Sequence, residues 1–277
     1  MNNQTVVDLS IDRVDINHLK NIVKMCGKDG LRPALTGVSL VVKDGYAEMC
    51  ATDGRVLGLL KLDGCFSKDI FIAKIINIDA IRSLLKSKVG DIARLVVSAE
   101  STRVMINNKE VGDYPDVFAK YPNYKIVIPQ DPIYRTEIFI NAIDAIKYNV
   151  KKADSKGILS PTYLDFLEGG KIRISSINPD LDFALMNSGT GYTHISREDP
   201  YSQHGFASMN LNKVMNCFSN TCIMEYTSND RAYIFKYRNS DKLTVLLMPI
   251  EEFYKDLSNK LSESSGYLFD SLKDIEL

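Results

Sequence analysis

Asp15, Asn77, Asn141 and Asn210 each open a short stretch with apolar residues at helical spacing, and they lie 62, 64 and 69 residues apart. A near-regular period of that length constrains the fold more than composition does, because it implies one supersecondary unit used four times. Asp and Asn are favoured helix N-caps, since their side-chain oxygens accept from the free amides of the first turn. The four stretches are DINHLKNIVKMCG, NIDAIRSLLKSK, NAIDAIKYNVKKA and NLNKVMNCFSN. A β-rich run precedes each: TVVDLSI, DIFIAKII, RTEIFI and HGFASM. Further runs follow, among them YAEMCA and RVLGLLKL, ARLVVSAE and TRVMINN, TYLDFLE and KIRISSI and LDFALMN, then CIMEYTS and RAYIFKYR. The order predicts β-α-β-β-β four times, with the third strand weaker in the second unit. Short strands with Gly, Asp and Asn turns and few helices predict an α+β fold with antiparallel sheets.

The stretch between the second and third units holds Pro115, Pro122, Pro129 and Pro132. Pro-rich chain between two pairs of units predicts a domain linker over about 112–132. Two domains are expected, 1–127 and 128–250, followed by a tail, 251–277. Phe253, Leu257 and Leu261 recur every four residues in that tail, so its first half is expected to be helical.

The predicted helices bury Ile16, Leu19, Val23 and Cys26; Ile78, Ile81, Leu84 and Leu85; Ile143, Ile146 and Val150; and Leu211, Val214, Met215 and Phe218. Their other faces present Lys20, Lys24 and, just past the end, Lys28; Arg82 and Lys86; Lys147, Lys151 and Lys152; and Lys213. None of the four stretches contains Glu, although solvated helix faces usually mix Lys with Glu four residues apart. The chain as a whole has a net charge of −1, so cations are segregated onto these faces and acids placed elsewhere. That segregation points to a phosphate-facing surface without sequence preference.

Composition excludes other classes. Three histidines, His18, His194 and His204, stand at no metal-ligand spacing, and no phosphate loop or nucleophile motif is present. No catalytic residue, metal or cofactor is therefore expected, and the chain reads as a non-enzyme. Five cysteines without Cys-x-x-Cys spacing argue for reduced thiols in the cytoplasm rather than a disulfide framework. No apolar run approaches the roughly 18 residues a membrane span needs. Thr52-Asp53-Gly54-Arg55 joins two apolar runs, and Asp-Gly is a common tight-turn pair.

RPALTGVSLVVKDG followed by ATDGRVLGLLKL resembles the middle domain of the bacterial DNA polymerase III beta subunit, the sliding clamp. YPNYKIVIP resembles the clamp's linker into its last domain, and TVLLMPI its C-terminal signature; the three occur in clamp order over about residues 5–250. The resemblance implies a DNA-clamp fold, antiparallel sheets outside and basic helices inside, that encircles duplex DNA and acts as a processivity factor. It also implies a partner-peptide pocket for DNA polymerase and repair proteins. Carried over position by position, that pocket uses Leu35, Thr52, Gly54, Arg55, Leu57, Pro122, Val127, Leu246, Met248, Pro249 and Ile250. The alternative expectation is a clamp-like adaptor that binds peptides and encircles no DNA.

Three departures stand out. Clamps place an aromatic or His and then Arg-Leu after ATDG, whereas Arg55 follows Gly54 directly here. Clamps have three domains, and this chain has a counterpart for two. Clamps end soon after the signature, whereas this chain continues from Glu251 to Leu277. Six domains in a ring would then need a homo-oligomer of three chains joined head to tail. Such heterologous contacts close only when their rotation fits; otherwise they give arcs or filaments.

Overall fold

The computed structural model describes residues 7–43, 45–62, 71–154, 161–167, 170–177, 185–195, 203–228 and 230–250. Among the described residues, sixteen strands and four α-helices follow one another as four β-α-β-β-β units. The first unit is β1 (Val7–Ile11), α1 (Arg13–Ile22), β2 (Val38–Lys43), β3 (Tyr46–Thr52) and β4 (Val56–Leu62). The second is β5 (Ile72–Ile76), α2 (Ile78–Leu84), β6 (Ala93–Val97), β7 (Ser101–Ile106) and β8 (Lys109–Pro115). The third is β9 (Tyr134–Ile138), α3 (Ile140–Asp154), β10 (Pro161–Leu167), β11 (Lys171–Ile177) and β12 (Leu185–Ile195). The fourth is β13 (Gln203–Ala207), α4 (Ser208–Met215), β14 (Cys222–Tyr226), β15 (Tyr233–Tyr237) and β16 (Ser240–Leu247).

The weak third strand of the second unit is β8, a full seven residues that use up the start of the expected linker. The connection to the third unit is therefore 116–133, with one 3-10 turn at Tyr124–Val127. β12 runs to Ile195, well past the apolar LDFALMN, because a Gly- and Thr-rich strand carries no alternating signal in sequence. The tail 251–277 lies outside the described residues.

Three of the four caps differ from the sequence reading. Asp12, with extended backbone, caps α1 by accepting from the Asp15 amide at 2.7 Å. Asp15 lies inside the helix, 1% exposed, its carboxylate 2.9 Å from the Lys242 ammonium. α4 starts directly after β13 with no side-chain cap, which places Asn210 inside it and buried. Asn141 is the second residue of α3. Asn77 caps α2, accepting from the Asp79 amide at 2.9 Å.

Units interlock by exchanging their opening strands. β1 pairs with β6 of the second unit and β5 with β2 of the first, all antiparallel. β9 pairs with β14 and β13 with β10 in the same way. The exchange buries the apolar faces of the helices in a core that holds Leu19, Ile81, Ile146 and Val214, each 0% exposed. One four-stranded sheet has the order β1-β6-β7-β8. A twelve-stranded one runs β13-β10-β11-β12-β9-β14-β15-β16-β4-β3-β2-β5.

The two halves meet where β16 pairs with β4, with Leu246 opposite Leu57 and Leu243 opposite Leu60. Asp15 with Lys242, Lys61 with Asp241, and Lys213 with Asp53 at 2.7 Å tie the same junction. His18 packs against Tyr237 there with ring centroids 5.9 Å apart. Burial, reinforced by Lys242, holds the His18 imidazole below its ordinary pKa and so favours its neutral form.

Candidate functional site

β4 has two working faces. Val56, Leu60 and Leu62 join the helix-side core. Leu57 and Leu59 point the other way, into a smaller cluster with Cys50, Tyr124, Ala232 and Leu246. That cluster pins the connection 116–133 across the outer face of the sheet. Tyr124 donates to the buried Glu48 carboxylate, Lys125 pairs with the same carboxylate at 3.2 Å, and Tyr121 donates to the Cys50 carbonyl at 3.2 Å. Burying Glu48 is tolerated because both partners reach it.

Beside this crossing lies a cleft of about 640 Å³. Leu57 and Leu246 contribute from the strand pair, and a 3-10 turn at Pro33–Thr36 supplies Pro33, Ala34 and Leu35. The crossing chain adds Ala119, Lys120, Pro122, Asn123, Tyr124, Ile126 and Val127, and the end of β16 adds Met248. Ile126, Val127 and Met248 are 78, 48 and 41% exposed, an apolar group left open to water. Arg32, Arg55 and Lys120 are the charged lining residues, and no acid lines the cleft among the described residues.

The Thr52–Val56 turn shapes one wall. Asp53 Oδ1 accepts from the Arg55 and Val56 amides at 2.9 and 3.0 Å. Thr52 Oγ1 donates to the Val56 carbonyl at 2.7 Å and accepts from the Gly54 amide at 3.0 Å. Gly54 has φ +92°, a conformation a side chain would strain. The other Asp53 oxygen receives the Lys213 ammonium. Burial pushes the Asp53 carboxyl up, but Lys213 and the two amides outweigh it and hold its pKa below the ordinary value. The pair therefore stays ionised at neutral pH, and its stabilisation is lost only as pH falls below about 4. Asp53 serves the turn and the junction.

Of the eleven pocket positions read from sequence, the cleft brings together Leu35, Thr52, Gly54, Arg55, Leu57, Pro122, Val127, Leu246 and Met248. Pro249 and Ile250 do not line it. The chain turns away after Met248, whose amide donates to the Arg55 carbonyl at 2.9 Å, and the Ile250 amide donates to the Gly205 carbonyl of β13 at 3.0 Å. Sequence reasoning missed Arg32, Lys120 and Tyr124; the Arg32-Pro33 step before a short turn was the one local signal for the first.

Of the nine cations proposed to face DNA, Lys20, Lys24, Lys28, Arg82, Lys86 and Lys151 are exposed. Arg82 is paired with Asp79 at 2.9 Å, and Lys24 donates to the neutral Asn21. Two differ from expectation. Lys147 is half-buried and donates to the Phe218 carbonyl at 2.9 Å, and Lys213 is taken by Asp53. Neither is a free surface cation. The Lys152 side chain lies outside the described residues.

Among the described residues, no group of three His, Cys, Asp or Glu side chains could hold a metal ion. Cys26, Cys50, Cys217 and Cys222 are buried free thiols. Burial pushes the Cys26 and Cys217 thiols up to about 12, so neither is a thiolate nucleophile at neutral pH. No described helix is long and apolar enough to cross a membrane.

Solved structures of bacterial sliding clamps share this architecture. The DNA polymerase sliding clamp of Pseudomonas aeruginosa superposes with a TM-score of 0.78 at 16% identity, over 91% of this chain and 68% of that one. The Bacillus subtilis clamp gives 0.77 at 19%, over 90% and 65%. The DNA polymerase III beta subunit of Thermotoga maritima gives 0.73 at 15%, over 90% and 66%. No protein-family profile and no curated protein sequence matches the chain. The chain has the sliding-clamp fold and spans about two-thirds of the length of these clamps.

Proposed function

We propose that this chain is a two-domain clamp, divided as 1–127 and 128–250, that surrounds duplex DNA without reading its sequence and tethers polymerase or repair partners through the cleft. It is a non-catalytic accessory subunit in this reading. The observation that carries it is the fourfold clamp architecture with exposed cations in, or just past, helices α1, α2 and α3. Lys20, Lys24, Lys86 and Lys151 are exposed with no carboxylate partner among the described residues, as contacts to phosphate require. β8 stands in the second unit where β4 stands in the first, and β12 in the third where β16 stands in the fourth. Thr193–Ile195 of β12 pair with β9, whereas 185–192 pair with β11 alone among the described residues. Pairing β8 with that part of a neighbour's β12 would repeat the β4–β16 junction between chains, and three chains would supply six domains.

The test is topological. The protein is incubated with nicked circular plasmid at low salt and passed through a sizing column. A ring stays with the circle and slides off after the plasmid is cut once. Equal recovery on circular and linear DNA overturns encirclement. A second reading, a peptide-binding adaptor that remains open, is favoured by β8 itself. Lys109, Glu110 and Asp113, Pro115 at its end, and a register shift opposite Val104 and Met105 are features that discourage strand addition. Light scattering separates the two, since a trimer supports the ring and a monomer the adaptor.

For the cleft, Met248→Ala is expected to weaken a polymerase-derived clamp-binding peptide by about 1–3 kcal/mol, the range for a buried interface anchor. Met248 contributes surface to the cleft while its amide, not its side chain, bonds Arg55. The fold should therefore survive, and unchanged affinity in a titration of the folded variant would remove Met248 from the site.

A further inference from the structure

We propose that the cleft is occupied in the free protein by the chain's own segment 263–270, which competes with partners for it. This rests on the reading of the cleft as a peptide site and names its resident ligand. Arg32, Arg55 and Lys120 border an apolar floor, all three are exposed, and none is bonded to a carboxylate among the described residues. An occupant that satisfies this surface carries apolar side chains flanked by acids. The segment 251–277 has that chemistry. It holds seven acids, Glu251, Glu252, Asp256, Glu263, Asp270, Asp274 and Glu276, against three lysines, a net −4 in a chain of net −1. Residues 1–250 therefore carry +3, so the charges of body and segment are complementary.

Within it, Tyr267-Leu268-Phe269 is the densest apolar run, bracketed by Glu263 and Asp270. Its tether is short. Met248 lines the cleft and Ile250, the last described residue, is fixed to β13, so Tyr267 lies 17 residues further on. Seventeen residues span about 25 Å as a helix and up to about 60 Å extended, so the segment can reach back to the cleft in either form. A ligand held on such a tether acts at about millimolar effective concentration, enough to fill a site of micromolar affinity. The exposed Ile126, Val127 and Met248 are the surface it would cover.

The experiment uses the full chain and, as probe, a fluorescein-labelled synthetic peptide of residues 261–277. Binding is followed by anisotropy for the parent, for Leu268→Ser with Phe269→Ser, and for that double variant with Arg55→Glu added. Matching thermal melts show that each is folded. A self-occupied cleft predicts that the double variant binds the probe at least about tenfold tighter than the parent. It also predicts that Arg55→Glu reverses the gain and that raising salt weakens binding. Equal affinity in parent and double variant overturns the proposal while leaving the cleft as a site for other peptides. Absence of probe binding to both also overturns it, and the Met248→Ala titration with a polymerase-derived peptide then decides the cleft reading by itself.

Discussion

Changing Lys20, Lys24, Lys86 and Lys151 together to Glu is expected to lower affinity for duplex DNA by about a thousandfold or more near 100 mM salt. It is also expected to abolish retention on circular plasmid. The choice follows from where the ammonium groups are. These four are exposed and hold no carboxylate among the described residues, whereas Arg82 is engaged by Asp79, Lys147 by the Phe218 carbonyl and Lys213 by Asp53. Each phosphate contact contributes about 0.9 to the slope of log affinity against log salt. Removing four should flatten that slope by about 3 to 4 before the added repulsion is counted. Lys213→Glu is the instructive contrast. It sets two carboxylates against each other at the junction and should reduce thermal stability, with DNA binding affected only through the fold. Retention and salt slope unchanged in the quadruple variant would show that these helix faces do not meet DNA.

The fourfold unit was legible because strands and helices announce themselves by local periodicity and turn chemistry. Even so, β8 reads weakly: Lys109, Glu110, Val111 and Asp113 are exposed or edge positions whose pairing with β7 is set by an Asn107-Asn108 turn with φ of 53° and 62°. The cap of α1 was misplaced by three residues because Asp12 and Asp15 are equally good caps in isolation. The decision comes from Lys242, which draws Asp15 into the junction. Lys213 illustrates the same limit. On a helical wheel it belongs with the basic face, yet its partner lies 160 residues away in the Asp53 turn. Most of the cleft was readable through resemblance, position by position. Of its three rim cations only Arg55 was, since Arg32 and Lys120 come from separate loops that only the crossing of the sheet by 116–133 brings together. The departure of Pro249 and Ile250 depends likewise on a backbone bond to Gly205 that no local pattern encodes.

Gly58→Ala is expected to destabilise the protein by about 1–3 kcal/mol, the range for overpacking a filled core. Gly58→Val should cost more. In RVLGLLKL this glycine looks like a weak point in a strand, yet a Cβ there would lie 2.6 Å from Ile22 Cγ2, 2.8 Å from Ile22 Cβ and 2.8 Å from Met25 Sδ. The opposing atoms belong to fully buried side chains that cannot swing away. α1 would have to lift from β4, and β4 is the strand paired on one side with β3 and on the other with β16. Gly58 stands opposite Val245 in that second pairing, one residue from Leu57 at the cleft. The damage should therefore reach two readouts at once. The melting temperature should fall by several degrees, since each kcal/mol shifts a domain of 150–250 residues by about 2–4 °C. Peptide affinity at the cleft should fall with it. Gly30→Ala, where no atom lies within 4 Å of the added carbon, serves as the control and should melt like the parent. A Gly58→Ala protein that melts within a degree of the parent would mean that α1 yields to the extra methyl, and that its close seat on β4 does not hold the junction in register.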